Sequence, residues 1–565
     1  MAPRHGPADV GGTPAGRTLC VPFAAGEAHE APLTWSQQYY LAEMDAARPY
    51  GRALAIPRLY ELRAGVREPE VTDALRELVE RFESLRSRVV RGGAGGDPGP
   101  GPGPGPGPGS GSGSGSGSRE GGTGGGEGGA HGDAAGTSVP RQRVHAHGAL
   151  RVAVHGTVPD VAPSAGAAGA DGLLEVAERV LAQLAGSPFE VDREWPVRAA
   201  IIGDGSRPRF LALVFSHVAV DAFALLPVSA HLVDRCALAD PVARTAPRSD
   251  VPGRQPREQA EAEASEAGRR AADRALRHAG DVLRRMPVAQ DAPGRTVTGE
   301  RFRFLRRRSA ALDLAVGALA ARSGESPAAV LAAAVASLDA GRTGTRYGFV
   351  QLVTANRLRP ETVNAVVPCS QVVLCSVDTE DTSFVELVRR TASASLRAYR
   401  AAAGPPDELA RLRIAVEAER GARVDMPTTL NYRPRATTLP VRETDATELS
   451  RAAGDATTRW VDSGLLWQAD RYLSADVDAS GIRLVLQVDT AVHAPEWAEH
   501  WLAGLERLLC SAASGESVPR DAGAGGAVTH GSEAHLPGPS ARPPIRTSQE
   551  VPTWQTTHSS SEPSS

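Results

Sequence analysis

The stretch "LVFSHVAVDAFALL" (213–226) places a histidine, His217, and an aspartate, Asp221, four positions apart, where an apolar run gives way to a turn. A neutral imidazole accepts and returns a proton near neutral pH, so a histidine at such a join is a candidate general base. The aspartate is suited to holding the turn rather than to reacting. A buried carboxylate needs a cationic partner, because an unpaired buried charge is costly. Other reactive residue types are expected to be structural. His145 and His147 lie two apart on one face of an expected strand, a spacing that could chelate a metal, but no third ligand accompanies them and solvent-facing positions are expected. The five cysteines, Cys20, Cys236, Cys369, Cys375 and Cys510, form no CxxC pair and no Cys/His cluster of zinc-ligand spacing. They read as buried free thiols of a reducing cytoplasm, and no metal is expected.

Composition limits the function classes. Of 565 residues, 41% are hydrophobic and 23% charged, enough apolar material for a large core. A formal net charge of -4 argues against a dedicated nucleic-acid binder. The first twenty residues lack an apolar core of signal-peptide length, and no window approaches a membrane span. A soluble, cytoplasmic protein is expected. Lysine is absent while Ala, Gly, Arg, Pro and Val abound, the bias of a GC-rich genome such as an actinobacterium's.

Periodicity then gives the elements that must position His217. Residues 1–32 carry Gly, Ala and Pro without periodicity and are expected to be disordered. "LTWSQQYYLAEM" predicts a helix capped by Thr34 or Ser36, with Trp35, Tyr39, Tyr40 and Met44 on its apolar face. "RALAIPRLYELRAG" alternates like a strand. Val71, Leu75, Leu78, Val79 and Phe82 recur at helical spacing. A low-complexity Gly/Pro/Ser segment (91–139) must loop out of any packed core, at only a logarithmic entropic cost. Beyond it come a strand over "RQRVHAHGALRVAVHG", a helix ended by Gly186, and a hairpin turning at Asp204-Gly205 whose second arm carries His217. Residues 241–295 predict a charged helical crossover. Residues 296–510 again mix strands and amphipathic helices, with Ser326 and Pro327 opening one helix and "DASG" turning a hairpin. Residues 511–565 read as a disordered tail. "RRR" at 306–308 is expected on a solvated face or in a docking patch for an acidic partner. Trp460 and Trp467 are expected in the core or in a tunnel wall.

Several stretches, in order, resemble the condensation domains of nonribosomal peptide synthetases, within the chloramphenicol-acetyltransferase-like superfamily. The family signature His-His-x-x-x-Asp-Gly aligns with Ser216, His217, Val218, Ala219, Val220, Asp221 and Ala222, keeping the second histidine and the aspartate. "LTWSQQYYLAEM" resembles the opening helix motif through Gln37 or Gln38, and "RFESLRSRVV" the R-H-E-x-L-R motif through Arg81, Glu83, Leu85 and Arg86. "SPFEVDREWPVRAAII" resembles P-F-D-L … P-L-R-A, "LVTANRLRPE" the A-N-R loop, and "TTLNYRP" the late F-N-Y strand through Asn431 and Tyr432. "VVPCSQVVLCSVD" stands where an Asn-Thr strand is expected, with Ser370 and Gln371 near that pair.

The resemblance implies a mixed α/β fold, a V-shaped pseudo-dimer of two acetyltransferase-like halves (33–240 and 296–510) around a central tunnel. It implies no bound cofactor. Substrates would arrive on the phosphopantetheine of acyl or peptidyl carrier proteins from separate subunits, with a small-molecule amine or alcohol as acceptor and amide or ester as product. No nucleic acid or membrane partner is implied, and the chain is expected to be a free-standing monomer. His217 matches the family's active histidine and Asp221 its structural aspartate, with Ser216 in support and Arg357 as the aspartate's partner. Ala222, Ser370, Gln371 and Asn431 are expected along the tunnel. Ala222 in place of glycine would be costly if the position required a positive φ. The alternative is a noncatalytic module of the same fold that binds carrier proteins or recruits tailoring enzymes.

Overall fold

The computed structural model describes residues 16–91, 139–156, 170–204, 207–238, 251–289, 297, 299–434, 442–462, 465–478 and 481–515. The repeat-rich core of the Gly/Pro/Ser segment, the Gly205 side of the hairpin turn and the tail beyond 515 lie outside them. In chain order the strands are β1 (Arg17–Ala24), β2 (His29–Pro32), β3 (Ala55–Glu61), β4 (Ser87–Val90), β5 (Arg141–Val144), β6 (His147–Gly156), β7 (Val197–Asp204), β8 (Arg207–Ser216), β9 (Phe302–Arg308), β10 (Tyr347–Thr354), β11 (Gln371–Asp378), β12 (Thr429–Pro434), β13 (Thr457–Val461), β14 (Arg471–Asp478) and β15 (Gly481–Asp489).

They form three sheets. A five-stranded sheet in the order β1-β6-β7-β8-β3 and a three-stranded sheet β2-β5-β4 come from the first part of the chain, and a seven-stranded sheet β11-β10-β12-β14-β15-β9-β13 from the second. β8 pairs antiparallel with both β7 and β3. It reads "RPRFLALVFS" because it lies inside the sheet and both of its faces are covered, Leu211, Leu213 and Phe215 in one apolar cluster and Ala212 and Val214 in others.

Two large cores serve the two parts. One packs the seven-stranded sheet against the helices Ala310–Ser323, Pro327–Thr343, Phe384–Tyr399 and Pro495–Ser514. The other packs the five-stranded sheet against Glu68–Arg81 and Leu225–Arg235. A third cluster joins them: Tyr39, Tyr40, Leu41 and Met44 of the Trp35–Ala47 helix and Val214 and Val218 beside the motif meet Phe304, Leu466, Trp467 and Tyr472. The interdomain packing thus surrounds His217.

The Trp35–Ala47 helix is fixed at its start. Thr34 is its N-cap, in a capping box with Gln37, whose amide also reaches Gln142 at 3.1 Å. The first helical N–H, that of Trp35, donates to Glu263 at 2.7 Å. A carboxylate here meets the positive end of the helix. Burial pushes the Glu263 carboxyl up to about 7, against hydrogen bonds from Gln259 and Trp35.

Several expectations need correction. Residues 17–24 and 29–32 are strands, not disordered chain. β1 buries Val21 and Phe23 on one face and owes its pairing to β6, more than a hundred residues away, which no local composition reveals. The stretch 141–156 is two strands in two different sheets, so His145 and His147 do not share one strand face. The charged crossover is two helices, Pro256–Ala264 and Glu266–Leu283, broken where Ser265 caps the second through Gly268 N–H at 3.2 Å. The helices Pro406–Arg420 and Ala446–Ala453 and strand β13 have weak or polar local patterns that the sequence reading passed over. The last helix runs to Ser514, past the expected boundary at Cys510. Of the cysteines, Cys236, Cys369 and Cys375 are buried, but Cys20 is exposed and Cys510 half-buried.

β10 lies directly on the Pro327–Thr343 helix, and Gly348 is where they touch. A Cβ there would meet the Ala336 carbonyl oxygen at 2.1 Å, which is backbone and cannot swing aside. Gly348→Ala is expected to destabilise the protein by about 1–3 kcal/mol through overpacking. A lowered urea midpoint would bear this out; an unchanged midpoint would show that the helix and sheet separate freely.

Candidate active site

Strand register carries the backbone to the motif. Ser216 N–H donates to Pro196 O at 2.9 Å and His217 N–H to Leu54 O at 3.4 Å. The chain then turns, with Ala219 and Val220 N–H both on Ser216 O at 3.0 and 3.3 Å. Asp221 closes the turn by accepting Ala224 N–H at 2.7 Å, just ahead of the Leu225–Arg235 helix.

The rest of the Asp221 carboxylate is held by the second part of the chain. Oδ1 accepts from Arg357 Nη2 at 2.8 Å. Oδ2 accepts from Cys369 N–H at 2.8 Å, Ser370 N–H at 3.3 Å and Ser370 Oγ–H at 2.7 Å. Arg357 in turn donates to the carbonyls of Thr362 (2.5 Å), Ala365 (2.9 Å) and Val367 (2.9 Å). The side chains of Arg357 and Asp221 are 4% and 0% exposed. Burial alone would raise the Asp221 carboxyl, but Arg357, the Ser370 hydroxyl and the two backbone donors outweigh it and hold it below the usual carboxylate range. Arg357 follows Asn356, whose positive φ of 50° turns the backbone in a conformation that asparagine tolerates better than most residues.

His217 is 3% exposed. Its ring stacks on Tyr40, with centroids 4.2 Å apart, and meets the edge of Trp467 at 6.0 Å. Burial pushes its pKa down to about 4; Asp221 and backbone groups of His217 and Val220 pull it up, and Arg433 adds to the depression. The imidazole is therefore neutral at physiological pH, the form that can accept a proton. Trp467 is itself fixed: its N–H donates to Gln487 at 2.9 Å, and the next N–H, from Gln468, donates to Glu43 at 3.1 Å. Burial holds the Glu43 carboxyl well above its ordinary range, against that backbone hydrogen bond.

The remaining expected residues lie around this centre. Ser216 Oγ donates to Met44 Sδ at 3.7 Å. Ala222 is half-buried against the interdomain cluster, and among the described residues the positive-φ positions other than glycine are Asn356 and Asp381, so alanine carries no backbone strain there. Ser370 is bound to Asp221, as above. Gln371 makes two amide hydrogen bonds with the Gly404 backbone, at 2.7 and 3.0 Å. Asn431 donates to the Tyr472 hydroxyl at 2.9 Å. Sequence reasoning put Tyr40 simply on the apolar face of a helix and did not single out Glu43 or Arg433. The i, i+3, i+4 spacing of Tyr40, Glu43 and Met44 was the available signal. His145 packs against Trp195 with ring centroids 5.1 Å apart, and among the described residues no group of His, Cys, Asp and Glu could hold a metal.

Asp221→Asn would leave the buried Arg357 guanidinium without its counter-charge and is expected to cost about 3–5 kcal/mol. Because the native carboxyl is depressed, its contribution is complete above the ordinary carboxylate value of about 3.9 and is lost as pH falls through the native one. Denaturant unfolding of wild type and variant at pH 7 and at pH 3 checks both points: the gap between them should narrow in acid. A gap that is small at pH 7 would remove the pair from its structural role.

No family model matches the chain, and no curated protein matches it. Solved structures do. A condensation domain that mediates chain release from the enacyloxin polyketide synthase superposes with a TM-score of 0.57 at 19% identity, over 91% of this chain and 86% of that one. The SgcC5 protein from Streptomyces globisporus gives 0.54 at 18% identity, over 86% and 100%. The first condensation domain of the CDA synthetase gives 0.51 at 15% identity, over 87% and 98%. The sheets, the helices packed on them and the histidine turn between them place this chain in the condensation-domain fold, the pseudo-dimer of chloramphenicol-acetyltransferase-like halves.

Proposed function

We propose that the protein is an acyltransferase of the condensation type, which joins an acyl or aminoacyl thioester to an amine or hydroxyl acceptor and releases a free thiol. The observation that carries this reading is His217: a neutral, desolvated imidazole, oriented by two aromatic rings, at the junction of the two parts of the fold. The acceptor N–H or O–H hydrogen-bonds to the imidazole and attacks the thioester carbonyl carbon. As the new C–N or C–O bond forms, its proton passes to His217. The tetrahedral intermediate collapses, the C–S bond breaks, and the departing thiolate takes that proton. An imidazolium with a pKa of about 4 is a strong acid, so the second transfer is downhill, while the first is assisted because the attacking atom becomes acidic as it bonds. The same hydrogen bond orients the acceptor and can stabilise the intermediate.

Donors would come on the phosphopantetheine arm of carrier proteins from separate subunits, without a bound cofactor, as suits the fold; the protein acts as a monomer in secondary-metabolite assembly. The SgcC5 structure holds an aryl ethanediol, which favours including alcohols among the acceptors. No helix among the described residues is long and apolar enough to cross a membrane; we place the reaction in the cytoplasm. One observation favours the noncatalytic reading: His217 lies closed beneath Tyr40 and Trp467.

Incubation of wild type and His217→Ala with acyl-carrier thioesters and candidate amines or alcohols, read by mass spectrometry, decides between them. Wild type should form product about 10²–10⁴-fold faster than the variant. The pH profile of kcat/KM should stay level through the ordinary histidine value of about 6.5 and fall only as pH approaches about 4. Equal product from both proteins would remove His217 from the chemistry, and product from neither would leave the binding module as the function.

A further inference from the structure

On the acyl-transfer reading, the arginines of the seven-stranded sheet bear on the acceptor. Strand pleating sends Arg306 and Arg308 to one face of β9 and Arg307 to the other. Arg307 is neutralised by Glu506 at 2.6 Å, under the last helix. The opposite face is the one turned toward His217, since Phe304 and Tyr472 on it belong to the cluster that contains Tyr40 and Trp467.

Register orders the residues on that face. One row runs Asn431, Ser474, Val485, Arg306, Arg459, and the next runs Arg433, Asp476, Arg483, Arg308. Near Phe304 the face is covered by the interdomain cluster; one row further on it carries cations. Arg433 and Arg483 share Asp476 at 3.1 and 3.3 Å, and Arg308 and Arg483 both reach Asp478 at 3.9 Å. Arg306 and Arg459 have no carboxylate partner among the described residues, and Arg306 Nε is buried without an acceptor. Among the described residues, five arginines thus gather around Asp476 and Asp478, with Asp313 near Arg308. Burial, followed by repulsion from Arg459 and Arg483, lowers the Arg306 pKa against the pull of Asp476. Arg306 and Arg459 thus stand directly opposite each other with no carboxylate of the described residues between them, and a guanidinium fork matches a carboxylate in two parallel hydrogen bonds.

We propose that Arg306, Arg459 and Arg483 bind the carboxylate of a small-molecule acceptor, so that the acceptor is an amino or hydroxy acid used in free form. Arg433 shares this face on β12, bound to Asp476, and its charge contributes to lowering the His217 pKa. The site lies on the sheet face that carries Phe304 and Tyr472, the face packed toward His217, so an acceptor anchored there directs its amine or hydroxyl toward the imidazole.

The test uses the full chain, 4-(aminomethyl)benzoate and its methyl ester as acceptors, and an octanoyl N-acetylcysteamine thioester as a donor without phosphate. Wild type should favour the acid over the ester by about tenfold or more in kcat/KM, through KM, and that ratio should collapse in R306Q and R459Q. A ratio near one in wild type, or one that survives in both variants, overturns the proposal. Calorimetry without donor separates this from the chemistry. Binding of 4-(aminomethyl)benzoate that persists in H217A but weakens in R306Q upholds the anion site even if no acyl transfer is found. Binding of inorganic phosphate alone, with none of the carboxylate probe, overturns the assignment to the acceptor and points to the phosphate of a pantetheine arm.

Discussion

The Asp221 carboxylate stands in the first part of the chain, and everything that neutralises it, apart from the Ala224 amide, stands in the second: Arg357, the Cys369 and Ser370 amides and the Ser370 hydroxyl. Two charges withdrawn from water are tolerable only when each is fully hydrogen-bonded. Here the condition can be met only if the turn after β8 and the loops after β10 and before β11 come together in one arrangement. The ion pair thus acts less as a source of stability than as a register mark between the two parts, and His217, four residues before Asp221, inherits its position from it.

Around the histidine the physics is that of exclusion. Tyr40 and Trp467 come from opposite parts of the chain, and together they remove the imidazole from water. The same removal lowers its proton affinity, so shielding and basicity are coupled through one set of contacts. Glu43 extends this economy: its carboxyl, which burial pushes above the ordinary carboxylate range, anchors the Gln468 amide beside Trp467.

The fold was legible where signals are local. Ser326, Thr34 and Gly186 mark helix ends, and β8 announces itself as an apolar run before the His217 turn. Motif order gave the pairing of Asp221 with Arg357, 136 residues apart, which no spacing argument reaches. What could not be read were elements made by partners. β1 needs β6, and β13 is a polar strand that exists because β9 offers it a free edge. The aromatic enclosure of His217 also escaped the sequence, because a tyrosine on an apolar helix face looks the same whether it packs on a leucine or on an imidazole. Alternation in "FRFLRRR" was legible, but which face would receive Glu506 and which would be left cationic depended on the last helix.

The pairing of β4 with β5 sets Val90 directly opposite Arg141. The Gly/Pro/Ser-rich stretch of fifty residues thus joins two positions that are neighbours across a strand pair. Loop length at such a junction enters the free energy only through a slowly varying logarithm, about 0.6 kcal/mol for each doubling. Gly-Pro and Gly-Ser repeats are sequences that replication can lengthen or shorten in steps, and the pairing of Val90 with Arg141 fixes where the two ends meet whatever the length between them. The gene can thus drift in size here while the protein's architecture stays constant, which makes this junction the natural place to attach a tag, a label or a tethered partner.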